Sequence, residues 1–413
     1  MKKTLLLFLS CFTLYAKTLT LDACIEAALQ NHPDVKRLSL GSLQSGSLVD
    51  IAKADYLPQL NLNAQYNPHN TFALQQNGTF NTIEDDNFVA EAKVTQKIYD
   101  FSKTTSTIEA YEKNKNIATL SLEEAKALLV FSVKNLYNKA LFQTKALEAR
   151  QKDIETKEEL YKQAEALVRE GLKTKADASS MLSALYNAKD AYATTKAELH
   201  KAVATLFLYM GEEADLSVTL EENALTVFEN ANTLDTIFAK NFSLLGLGEQ
   251  ITRDTLFYNA SKAANYGSVD AVASYTYQNS LNEYDTSMVG IGINIPLYSG
   301  GRLSAQNEYA RIEKEKTKES YNAKKLQLEE QTLTLLADWE RYKTTIEAKE
   351  ALINSSLATK EVVEARYKEG LSTYIEVLDA ATTHLQARLG LLEARFALQG
   401  IKNNLEYLQG EKK

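Results

Sequence analysis

From Arg302 to Glu369 the chain contains neither glycine nor proline. A helix of that length, at 1.5 Å per residue, runs roughly 100 Å, several times the width of a small globular domain. A second run, from about Ser102 to Glu170, reads the same way. Along it Val133, Ala140, Leu147, Ile154, Tyr161 and Val168 recur at every seventh residue, the period of a left-handed coiled-coil seam. The opposite faces are polar, as in KALEARQKDIETKEEL. Such helices cannot be buried in a globular core and must pack along other long helices. Returning helical patterns at about 173–209 and 373–409 supply antiparallel partners.

The two runs belong to an internal repeat. IYDFSK at 98–103 pairs with LYSGGR at 297–302, EGL at 170–172 with EGL at 369–371, and YMGE at 209–212 with LQGE at 408–411; each separation is 199 residues. Identity between these landmarks is low, so the repeat is one of architecture. A fainter echo links LDACIEAALQNHP (21–33) to LDTIFAKNFSL (234–244). Each half reads as a helix of moderate length, two strands around a loop, a very long helix, a glycine-marked turn and a returning helix. The divisions are residues 1–16 as a signal peptide, 17–212 as the first repeat, 213–232 as an acidic connecting segment and 233–413 as the second repeat.

The strands carry a period of two. Leu60, Leu62, Ala64 and Tyr66 alternate with Asn61, Asn63 and Gln65, and Phe88, Ala90, Ala92 and Val94 alternate with Glu91, Lys93 and Thr95. Val269, Ala271, Ala273, Tyr275 and Tyr277 share one face, as do Val289, Ile291, Ile293 and Ile295. Each segment is about 9–11 residues long, enough for a tilted strand to cross a bilayer. A sheet in lipid must close on itself, and outer-membrane barrels have at least eight strands. Four strands therefore predict a barrel shared between chains. Tyr56, Tyr66, Tyr275, Tyr277, Tyr284 and Tyr298 cluster near strand ends, as in interfacial girdles.

The first residues, MKKTLLLFLSCFTLYA, have the charged start, short apolar stretch and small final residue of a secretory signal. Its removal takes Cys11 and leaves Cys24 as the one cysteine, so no intrachain disulfide is expected. A competing reading, lipidation of Cys11, is disfavoured by the poor match of Phe8-Leu9-Ser10 to a lipobox. Without Lys2 and Lys3 the net charge moves from −8 to −10, which gives no sign of nucleic-acid binding. His32, His69, His200 and His384 lack ligand spacing, and no nucleophile motif is present. The sequence points to no enzyme activity, metal or cofactor.

In this order, YLPQLNLNAQY (56–66), NIPLYSGGR (294–302), RYKEGLSTYIEVLDA (366–380) and the duplicated layout make the chain resemble the TolC-like outer membrane efflux proteins across essentially its whole mature length. The resemblance implies a mainly α protein with membrane β: a long antiparallel coiled-coil α-barrel plus a transmembrane β-barrel shared by three protomers, four strands each. It implies an outer-membrane location with a long periplasmic extension. It further implies the exit duct of a tripartite efflux or type I secretion system, a passive conduit served by a periplasmic adaptor and an inner-membrane transporter of RND, ABC or MFS type.

Residue by residue, the resemblance places Gly171, Leu172, Gly370 and Leu371 at the periplasmic tips, where adaptors dock. Glu376 and Asp379 match the constriction acids, and Tyr367 and Asp177 match latch positions. A latch arginine is replaced by Ser372, which leaves Lys173 and Lys175 as nearby candidates. On residues alone, Glu376 and Asp379 also read as first-turn acids that complement a helix dipole. The alternative to a duct is a soluble periplasmic coiled-coil adaptor or structural protein.

Overall fold

A computed structural model describes residues 18–76, 78–222 and 233–411. The expected signal peptide with Cys11, and residues 223–232 of the expected connecting segment, lie outside the described residues. The elements in order are β1 (Thr18–Leu19), α1 (Leu21–Asn31), α2 (Pro33–Ala54), β2 (Gln59–Gln76), β3 (Thr79–Tyr99), α3 (Lys103–Arg169), α4 (Lys175–Met210), β4 (Thr219–Leu220), α5 (Thr233–Lys240), α6 (Phe242–Ala263), β5 (Ser268–Asn279), β6 (Glu283–Asn294), α7 (Arg302–Lys368) and α8 (Tyr374–Leu408). No described helix is long and apolar enough to cross a membrane.

The repeat is visible in the element bounds. Helices α3 and α7 begin at 103 and 302 and end at 169 and 368, and α4 and α8 begin at 175 and 374; each pair differs by 199. Upstream, α2 and α6 begin at 33 and 242, a difference of 209. The extra ten residues fall between these helices, where the first strand hairpin occupies 59–99 and the second only 268–294.

The chain forms two compact units, each drawing on both repeats. The sheet unit comprises Arg37–Glu123 and Phe242–Leu326. Its core is one antiparallel sheet in the order β2-β3-β5-β6. Leu62 pairs with Ala92, Ala92 with Tyr275, Val94 with Ala273 and Ala273 with Val289. Directly paired residues share a face, so the four alternating segments align into one continuous apolar face. That face is open in the single chain: Leu62 is 75% exposed and Val289 87%. The opposite face carries Asn61, Lys93, Ser274 and Met288 in one register.

β2 and β3 are longer than the alternation indicated. Pairing continues to Gln76↔Thr79, past a bulge between Asn67 and Asn70. The stretches NPHNTF and EDDN read as loop because polar side chains interrupt the period, yet their backbones still pair.

Where β3 meets α3, Phe101 and Ser102 take positive φ of 57° and 68°, whereas 199 residues later Gly300 and Gly301 hold φ of 62° and 83°. The left-handed conformation costs a residue with a Cβ about 1–2 kcal/mol. Local contacts oppose that cost. The buried Asp100 accepts from the Thr104 amide at 2.9 Å and its hydroxyl at 2.5 Å. The Phe101 ring packs against Tyr99 and Tyr266, with centroids 4.9 and 5.2 Å apart.

The hairpin unit comprises the described residues up to Lys36, Glu124–Asn241 and those from Gln327. The predicted seam is buried only in part. Val133, Ala140 and Ile154 are buried, but Leu147, Tyr161 and Val168 are half-buried. Beyond Ala140 the other buried positions are Ala146, Ala149, Asp153, Leu160, Ala164 and Leu167. At 3.6 residues per turn these fall on the far side of the helix from Val133. The helix changes neighbours along its length, so no single column describes it. At Tyr137 the neighbour is the short parallel pair β1–β4: the buried hydroxyl lies 2.8 Å from the Leu19 carbonyl and 2.7 Å from that of Glu221. Both returning helices end under an asparagine. Asn31 donates to the Met210 carbonyl at 3.1 Å, and Asn241 to that of Leu408 at 3.0 Å.

Candidate functional site

The two long hairpins turn at Gly171 and Gly370. Their φ values are +75° and +76°, a conformation open to glycine without strain. The closing bonds are the same in both. Gly171 and Leu172 donate to Val168 and Leu167, and Gly370 and Leu371 to Tyr367 and Arg366. This is the two-bond Schellman stop, which satisfies carbonyls left over at a helix end. It leaves Leu172 61% and Leu371 69% exposed at the apices.

Each returning helix then starts with a reciprocal cap. The Thr174 amide donates to the Asp177 carboxylate at 2.8 Å, and the Asp177 amide to the Thr174 hydroxyl at 3.3 Å. Thr373 and Glu376 repeat both bonds at 2.8 and 3.3 Å. The signal was present in the sequence as T-x-x-D and T-x-x-E, but the threonines were not singled out there.

Behind the turns the four long helices share one core. Leu160, Ala164 and Leu167 of α3, Met181 of α4, Tyr367 of α7 and Val377 of α8 are buried together. The tip is therefore held as one body by packing from both repeats. Across this core reaches Lys173. Its ammonium donates to the Ser372 carbonyl at 2.9 Å and lies 5.6 Å from the centre of the Tyr367 ring. The side chain of the first turn is thus bonded to the second, at the residue that stands where the family resemblance expects an arginine. Lys175, the other candidate, is exposed at the start of α4.

The expected Tyr367–Asp177 pair is near but not bonded. Tyr367 is fully buried, and among the described residues its hydroxyl has no hydrogen-bond partner; nor has the buried Ser372 hydroxyl. Burial, then the negative charge of Asp177, pushes the phenol's pKa up and keeps it neutral. The Asp177 carboxylate is taken by Thr174.

Glu376 and Asp379 are both exposed on the first turns of α8, three residues apart and so on one face. Glu376 is the capping acid. The Thr373 amide lowers its pKa most, with the Thr373 hydroxyl and the Arg366 charge adding to the effect. It is ionised at neutral pH.

The profile of the family described as outer membrane efflux protein matches residues 24–212 and 254–411. The chain belongs to the outer membrane efflux protein family. It is an outer membrane efflux channel, and catalysis is no part of that role. The soluble-adaptor alternative gives way.

The outer membrane protein TolC of Salmonella enteritidis is 23% identical over 98% of this chain and 84% of its own length. The solved structure of CusC superposes with a TM-score of 0.86 at 18% identity, covering 95% of this chain and 92% of that one. The outer membrane protein VceC of Vibrio cholerae gives 0.84 at 17%, covering 95% and 96%. The architecture of long helices with a four-stranded antiparallel sheet is common to these structures.

Proposed function

We propose that this channel works as a ring of three copies, the exit duct of a tripartite efflux or secretion system, gated at the tips. The observation that carries the ring is the sheet. Among the described residues, β2 and β6 each pair on one side only. One face of the sheet is mostly apolar, with Leu62, Ala92, Val94, Ala273 and Val289 on it, until Ser287 and Asp285 of β6 follow toward the strand tips. In lipid each unpaired backbone group costs several kcal/mol, so the edges must meet. With four strands per chain, β6 of one copy meets β2 of the next in the antiparallel sense. Two copies make eight strands, a barrel filled by its own side chains. Three make twelve and leave a passage, with the apolar face toward outer-membrane lipid. The four long helices of each copy then supply twelve tracks for a helical tube.

Gating is assigned to the tips. Glu376 and Asp379, facing the axis in three copies, form two rings of carboxylates that favour cations and repel one another. The Lys173–Ser372 bond holds each tip closed, with Tyr367 packed in the core beneath it and Asp177 capping the start of α4. Leu172 and Leu371, exposed beside Gly171 and Gly370, offer apolar contacts to a periplasmic adaptor. The sequence carries no energy-coupling motif, so the driving force comes from an inner-membrane transporter of RND, ABC or MFS type.

Single-channel current in a planar bilayer under a potassium chloride gradient tests this reading. Small cation-selective steps are expected. Protein that carries no current and stays soluble without detergent would refute it.

A further inference from the structure

The first strand hairpin outgrows the sheet. The last residue pair joining β3 to β5 is Phe88↔Asn279, whereas β2 and β3 continue as a two-stranded arm to Gln76↔Thr79. The arm extends about 30 Å past that pair, at roughly 3.3 Å per residue. At its base the register shifts between Asn67 and Asn70, around Pro68 and His69. A bulge of this kind bends a ribbon and re-aims it, and proline at a bulge takes no ladder bond away. Beyond Phe88 neither edge of the arm is paired among the described residues. β6 starts at Glu283, which pairs with Asn279 at the level of the arm's base, so a neighbouring copy's twelve-residue strand reaches only the lower part of β2.

The charges divide the arm in two. Glu84, Asp85 and Asp86 lie near its base, while residues 73–83, ALQQNGTFNTI, carry no charge. The acids repel the anionic phosphates of an outer leaflet. The neutral outer part has open backbone edges that suit pairing with an identical segment. A twelve-strand barrel, with strands about 4.8 Å apart and tilted about 40°, is roughly 24 Å across between backbones. The arm is longer than the radius of that circle. The offset change from 209 to 199 across the hairpins places the added length in the first repeat alone.

We infer that the arms of neighbouring copies bend over the outer mouth of the duct, meet edge to edge, and screen it against bulky solutes from outside. The inference rests on the ring proposed above. The test is Gln75→Cys, at an exposed arm position, in detergent-solubilised mature protein, without Cys11, whose trimeric mass has first been checked. Cys24 is fully buried and does not compete. Mild oxidation is expected to give disulfide-linked dimers. A trimer that yields none overturns the arm contact and leaves the ring intact, whereas absence of a trimer overturns the ring itself. A second variant replaces residues 68–86 with a two-residue Asn-Gly turn. Large poly(ethylene glycol) added on the outer side should then reduce single-channel current several-fold more than in the parent. Equal polymer exclusion in both proteins overturns the screening role.

Discussion

Replacing Lys173 by methionine isolates the bond that ties the two turns of one copy together. The substitution keeps the aliphatic stem and removes the ammonium. It deletes a charged hydrogen bond to the Ser372 carbonyl at 2.9 Å and the cation's contact with the Tyr367 ring at 5.6 Å. A hydrogen bond to a charged group contributes about 1.5–3 kcal/mol, and a cation over an aromatic ring about 0.5–1 kcal/mol at an exposed site. The ammonium is half-buried, so part of this is offset by water that returns to it on opening. A net of about 2 kcal/mol per copy moves the closed-to-open ratio of that copy by about thirty-fold, at 1.4 kcal/mol per factor of ten. The assay is single-channel recording in a planar bilayer. Lys173→Met should show larger or longer openings than the parent. Lys173→Arg, which keeps a donor and a charge, should stay close to the parent. Parental conductance and open time in a correctly assembled Lys173→Met channel would refute the latch.

Four further outcomes are expected. Glu376→Ala with Asp379→Ala should move the reversal potential under a salt gradient toward zero while leaving assembly intact; an unchanged potential sinks the pore assignment of these acids. The folded-state pKa of Glu376 is depressed, so its contribution to the start of α8 is present above the ordinary carboxylate value of 4.5 and is lost as pH falls through the lower folded value. The protection factors of the amides at residues 373–378, taken against their intrinsic rates at each pH, should accordingly fall in acid, and Glu376→Gln should flatten that dependence. Thr174→Ala and Thr373→Ala each remove a cap and should cost about 1 kcal/mol, read as a lower denaturation midpoint of the hairpin unit. Gly267→Ala should disrupt assembly far more than Gly370→Ala. Both glycines have positive φ, but a Cβ at 267 would lie 1.9 Å from the Asn294 carbonyl oxygen, whereas at 370 it meets nothing within 4 Å. Equal yields of heat-labile oligomer from the two variants would contradict this.

The long helices were legible because the lack of glycine and proline leaves an extended helical pattern no place to stop. Observed ends at Arg169 and Lys368 fall one residue short of the expected ones, since the turn glycines announce them. The apolar strand faces were legible because period two survives wherever a strand has one oily side. The arm was not, because the polar stretches NPHNTF and EDDN interrupt the alternation that the lower strands keep. Beyond Ala140 the heptad column keeps Ile154 buried but leaves Leu147, Tyr161 and Val168 half-buried, because a helix that changes partners changes its buried side, and a periodicity averaged along the chain cannot say where. At the tips, glycine and the two acids stood out as residue types. The contact from Lys173 to Ser372 could be narrowed to two lysines but not chosen, since it depends on how the two turns, 199 residues apart, sit against the shared core.

The central claim is that four strands per chain close into a barrel wide enough to leave a passage only when three copies assemble. Native mass spectrometry of the detergent-solubilised protein tests it most directly. The account predicts a species of three times the mass of one mature chain, with twelve strands. A predominant mass of one or two chains, in protein that still conducts, would contradict it.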